Sequence, residues 1–178
     1  NEMSQYVILR KLQMGLVFLF PNYLEVYRKK MNNIWLLTEE RPKPSVIKQI
    51  IDMYCMDFGD HIVKLQEVCI KPIIEQGIFK FVYKVEGLSV SNAISIFIKT
   101  VSGESSFIDF LLFKQDKAPA VGNINDNILM AIEETKTSDD ESRNTGVSQR
   151  VSKFVYFRHF YPKVKMYMLY NEELKERI

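Results

Sequence analysis

Apolar and polar positions follow two different periods along the chain. Before about residue 76 the apolar residues recur mostly at helical spacing. Tyr23–Trp35 and Ser45–Met56 read as helices, the second through Val46, Ile50, Ile51 and Tyr54. Pro42 and Pro44 separate them, and Ser45 is the expected N-cap. Met14–Phe20 is an apolar run too short to span a bilayer. Phe20-Pro21-Asn22-Tyr23 offers no small-residue cleavage site, so a buried helix or strand is expected there. Over His61–Glu75 the pattern is ambiguous, since Ile62, Leu65, Cys69 and Ile70 fit a helix face that Pro72 would interrupt.

From Gly77 the period becomes two. Ile78–Val85 is rich in aromatic and β-branched residues and reads as a strand. Ala93–Val101 and Ser106–Lys114, joined by the turn signal Ser102-Gly103-Glu104-Ser105, predict an antiparallel hairpin. Gln115–Asn127, with Pro119 and Gly122, is expected to be a loop. Ile128–Lys136 follows as a strand buried on both faces. After Gly146 a helix is expected through Val147, Val151, Phe154 and Val155, ending before Pro162. Val164–Leu169 reads as a last strand and Asn171–Arg177 as a charged tail. The predicted class is α/β, a mixed central sheet flanked by helices. Residues 1–76 form a mainly helical N-terminal part and 77–178 a sheet-bearing core, together expected to make one compact domain.

The chemistry concentrates where an apolar strand ends in charge. Ile128-Leu-Met-Ala-Ile runs directly into Glu133, Glu134, Thr135 and Lys136. Charge at a core edge is costly unless paired. Alternation puts Glu134 and Lys136 on one face, their Cα atoms about 6–7 Å apart, and Glu133 on the other. Asp109, in Ser-Phe-Ile-Asp-Phe-Leu-Leu-Phe, is an acid in an equally apolar strand. Neighbouring strands lie about 4.8 Å apart, which lets Asp109 and Glu134 grip one divalent cation. Hard oxygen ligands favour Mg²⁺ or Mn²⁺ over zinc.

Composition adds little by itself. The chain has 178 residues and a formal charge of +2. Residues 136–165 carry Lys or Arg at 136, 143, 150, 153, 158, 163 and 165 against acids at 139, 140 and 141, an excess of 7 − 3 = 4 positive charges. Such an excess can attract a polyanion. Cys55 and Cys69 are the two cysteines, and no Cys/His pairs stand at zinc spacing. That usage suits a reducing cytoplasm, and no membrane association is expected. Lacking an initiating Met, the chain is expected to be a trimmed form or a piece of a longer one.

Asp109, a loop, and then Glu134-Thr135-Lys136 on an apolar strand resembles the PD-(D/E)xK nuclease superfamily, most nearly its type II restriction endonucleases. Ile108 stands where the motif has proline, and Glu173-Leu-Lys175 repeats Glu-x-Lys in the tail without a preceding acid-bearing strand. The resemblance covers roughly residues 78–171. It implies a restriction-endonuclease-like fold and Mg²⁺-dependent hydrolysis of phosphodiester bonds in double-stranded DNA. Asp109, Glu134 and the Thr135 carbonyl would hold the metal, and Lys136 would orient the attacking water. Glu133 is expected to support the site or to pair with a basic residue of the following helix, and Glu67 or Glu75 to supply an extra carboxylate. DNA would lie over residues 137–144 and the next helix, against Arg143, Asn144, Thr145, Gln149, Arg150 and Lys153. Cutting both strands implies a homodimer. A junction-resolving or repair nuclease of the same fold is the first alternative, and a non-catalytic DNA-binding or assembly domain the second.

Overall fold

The computed structural model describes residues 32–101, 108–120, 127–135 and 140–170, except the side chains of residue 135 and of residues 140–149. In Asn32–Thr38 (β1), Ile34, Trp35, Leu36 and Leu37 are all buried. A run apolar on successive positions suits a strand covered on both faces, and β1 is such a strand, not the end of a helix as its spacing suggested. The helix Pro44–Phe58 (α1) follows. Its N-cap is Lys43, not Ser45, because Pro44 has the φ that a first helical turn needs and no N–H to leave unpaired. Gly59 closes it with φ +70, its N–H bonded to the Cys55 carbonyl.

Ile62–Glu75 (β2) and Ile78–Val90 (β3) pair as a long hairpin, which resolves the ambiguous segment as strand. The boundary drawn at residue 76 falls in the turn of this hairpin, between paired strands. Bulges interrupt β2–β3, one at Gly87, whose φ is +82 and where a Cβ would stand 2.1 Å from the Glu67 carbonyl oxygen. Ala93–Thr100 (β4), Phe110–Gln115 (β5), Ile128–Thr135 (β6), the helix Asp140–Phe160 (α2) and Lys165–Tyr170 (β7) complete the described elements.

These strands form one seven-stranded mixed sheet in the order β2-β3-β4-β1-β5-β6-β7. The fold is α/β. β4 and β5 are not hairpin partners, because β1 lies between them, with Thr38 opposite Phe110 and Leu36 opposite Leu112. β5 and β6 are antiparallel, Phe110 opposite Ile132. β6 and β7 are parallel, joined by α2. The helix α2 starts six residues before Gly146, which it absorbs at about 1 kcal/mol relative to alanine. Its first residues, Asp140 and Glu141, are acids of the kind a helix start favours.

Alternation sorts the central strands onto two cores. Ile34, Leu36, Phe110, Leu112, Met130 and Ile132 pack with Ile47, Ile50, Ile51 and Tyr54 of α1. Trp35, Leu37, Leu111, Phe113 and Ala131 pack on the other face with Phe157 of α2. Ile108 breaks the rule. Its parity matches Phe110, yet it belongs to the α2-side core. The chain bends at Ile108–Asp109, just before β5.

Candidate active site

The carboxyl ends of β1 and β6 and the start of β5 meet at one edge of the sheet, because β5 runs antiparallel to both. A cavity of 360 Å³ opens there, lined by Thr38 to Lys43, Val46, Asp109, Phe110 and Glu134. Asp109 and Glu134 therefore face the same space. In the register of Phe110 with Ile132, a straight strand would set Asp109 opposite Glu133. The bend at Ile108–Asp109 turns it instead toward the α1 side, where Glu134 lies.

Two carboxylates brace this edge reciprocally. Asp109 Oδ2 accepts the Glu134 N–H at 2.8 Å, and Glu133 Oε1 accepts the Asp109 N–H at 3.3 Å. Each side chain serves a backbone donor of the other strand where the regular ladder stops. Such charge-assisted bonds hold the Asp109 carboxylate in the wall of the cavity.

Glu133 points to the other face and is 1% exposed. Lys153 Nζ donates to Oε1 and Oε2, both at 3.1 Å, and Arg150 Nε lies 3.5 Å from Oε2. Burial raises the Glu133 carboxyl above its ordinary range and the Asp109 charge adds to the rise, while Lys153 opposes it. Arg150 Nη1 is buried without a hydrogen-bond partner. Arg150 and Lys153, expected on DNA, thus turn toward Glu133.

Of the other expected residues, Thr135 ends β6 opposite Tyr170, and its side chain is outside the described residues, as is all of Lys136. Arg143, Asn144, Thr145 and Gln149 lie within α2, so the first three do not precede the helix. Glu67 and Glu75 are corrected by the strand order. Both are exposed on β2, at the far edge and four strands from β5, about 19 Å away. Neither reaches the cavity.

The nearer acids come from a stretch read only as a separator. Glu39 and Glu40 line the cavity, followed by Arg41 and Lys43. Thr38 is buried, and its hydroxyl donates to the Glu40 carbonyl at 3.0 Å, folding the loop back over the end of β1. A signal for them existed. Ile34-Trp-Leu-Leu-Thr-Glu-Glu-Arg repeats the pattern of Ile128 to Lys136, an apolar run ending in paired acids and then a base.

The donor set suits a hard divalent cation, since Asp109 and Glu134 present carboxylates to one cavity. Among the described residues no three Asp, Glu, His or Cys side chains converge on one point. Two carboxylates are a small donor set of the kind Mg²⁺ completes with water and phosphate. Comparison of the chain with protein-family models, curated proteins and solved structures finds no match.

Proposed function

We propose that this protein is a Mg²⁺-dependent endonuclease of restriction-endonuclease-like fold that hydrolyses phosphodiester bonds in double-stranded DNA, as type II restriction enzymes do. The observation that carries the reading is the convergence of Asp109 and Glu134, from neighbouring strands, on one cavity at the end of β6. Lys136 follows two residues later in the chain, and a helix and a parallel strand come after it. Asp109, Glu134 and the Thr135 carbonyl would hold Mg²⁺ or Mn²⁺. When bound, the ion would supply Lewis-acid polarisation of a phosphoryl oxygen. Asp109 keeps its orientation through the Glu134 N–H, and Lys136 would orient water and stabilise charge on the phosphate. One such site cuts one strand, so duplex cleavage calls for a homodimer.

The test is incubation with supercoiled plasmid, with and without Mg²⁺. Nicked or linear product that requires the ion and disappears in Lys136→Ala is expected. Intact plasmid at every Mg²⁺ and Mn²⁺ concentration, with linear and branched DNA also uncut, would sink the proposal. Discrete ends on linear duplex separate a restriction enzyme from a junction-resolving nuclease, which would prefer branched DNA. A second reading, a non-catalytic DNA-binding or assembly domain, is favoured by the brace itself. Asp109 and Glu133 each accept a backbone N–H, a sufficient structural reason for both acids.

A further inference from the structure

The loop after β1 carries two cations into a cavity that also has acidic walls. Arg41 and Lys43 line it together with Asp109 and Glu134. β1 and β6 flank β5, so their backbones run about 10 Å apart on either side of it. The cavity of 360 Å³ that their ends border has room for one tetrahedral oxyanion and its cation. Arg41 is exposed, and among the described residues its side chain makes no hydrogen bond or ion pair. An arginine beside several carboxylates would ordinarily pair with one of them. Here its own loop limits that. Pro42 is buried and restricts Arg41 to extended backbone, and the Thr38–Glu40 hydrogen bond fixes the residues before it. Lys43 in turn caps α1, a helix with no acid in its first turn and no side-chain cap.

We infer that Arg41 is a phosphate-binding residue of this site, holding a DNA phosphodiester between its guanidinium and the cation that Asp109 and Glu134 would bind. The inference rests on the nuclease reading for the identity of the ligand. A planar guanidinium presents paired donors to two phosphate oxygens, which a lysine cannot do. The phosphate would be bounded by cationic groups on both sides, and the carboxylates would be kept from repelling it.

The test measures binding of a fluorescent duplex by anisotropy over a range of KCl concentrations, with Ca²⁺ in place of Mg²⁺, alongside Mg²⁺-dependent plasmid nicking. Arg41 is exposed and unpaired, so its variants should fold. Arg41→Ala should weaken binding about tenfold and make the slope of log K against log salt shallower by about 0.9, the contribution of one phosphate. Arg41→Lys should restore the slope while cleaving with a raised KM. Affinity and slope equal to wild type in Arg41→Ala overturn the inference, and so does a wild-type protein that binds no duplex. Wild-type nicking with an unchanged Arg41→Ala variant removes this role and leaves the nuclease reading standing. Arg41-dependent binding without any nicking does the reverse.

Discussion

Glu133 and Glu134 are identical, adjacent and both buried, yet they belong to different environments. Glu134 opens onto a cavity shared with Asp109, Glu39 and Glu40. Glu133 lies against α2 with Lys153 on both its oxygens and Arg150 beside it. One step along a strand exchanges a chemical environment for a structural one. The lesson is that a carboxylate at the end of a buried strand has no role until its face is known. On the α2 side the acid meets cations that neutralise it. On the α1 side Asp109, Glu134, Glu39 and Glu40 line one open cavity together with Arg41 and Lys43.

The largest expected difference between the two faces is in cleavage. Asp109→Asn keeps a side-chain oxygen for the Glu134 N–H but removes the charge. Nicking should fall about 100-fold or more, while the urea midpoint stays near wild type. Asp109→Ala should lose cleavage equally and also about 1–3 kcal/mol of stability, by leaving the Glu134 N–H unpaired. If Asp109→Asn nicks as fast as wild type, the acid is a brace and nothing more.

Next comes the exchange of the two glutamates. Glu134→Gln should abolish nicking with little change in stability. Glu133→Gln should cost stability mainly in the acid range, where the contribution of this carboxyl is complete, and less at neutral pH. Its effect on nicking should be the smaller of the two. Urea melts and nicking rates on the same preparations would show whether the costs segregate by face, and equal losses of both kinds in both variants would erase the distinction.

A partly buried acid, Asp60, sharpens the contrast through pH. Asp60 accepts from Tyr54 at 2.5 Å, from Asn92 at 2.8 Å and from Lys114 at 3.1 Å, tying the end of α1 to β5 and the β3–β4 turn. Burial pushes its carboxyl up, but these donors together outweigh it and hold it below the ordinary range. Its contribution to stability is therefore present above the ordinary carboxylate range and lost as pH falls through the depressed value. Glu133 has the opposite sign. Its carboxyl is raised, so its contribution is complete below the ordinary range and lost as pH rises through the raised value. The stability difference between wild type and Asp60→Asn should grow with rising pH. Between wild type and Glu133→Gln it should shrink, by a smaller amount. Urea titrations over the acid range measure both, and slopes of the same sign would contradict the electrostatics drawn for the two sites.

Long-range order explains why the hairpin expected from residues 93–114 does not form. The strands 93–100 and 110–115 were legible from their alternation, and the segment between them looked like a turn. What separates them is β1, a strand distant in sequence whose apolar residues fill both cores. Residues 32–35 fit the end of a helix because consecutive apolar positions suit a helix interior as well as a central strand. Glu67 and Glu75 failed as site residues for the same reason, since sequence distance says nothing about strand order.

By itself the sequence determined the α/β class, the apolar strand ending in paired acids, the βαβ unit over residues 128–170 and the opposition of Glu133 to Glu134. All of these follow from local periodicity, which is set by backbone geometry within a few residues. Tertiary structure alone decided that β1 is central, that the bend at Ile108–Asp109 brings Asp109 to the face of Glu134, and that Glu39, Glu40 and Arg41 share their cavity. Those facts depend on which strands become neighbours. That choice minimises the apolar area left in water over the whole sheet, and no short window of sequence contains it.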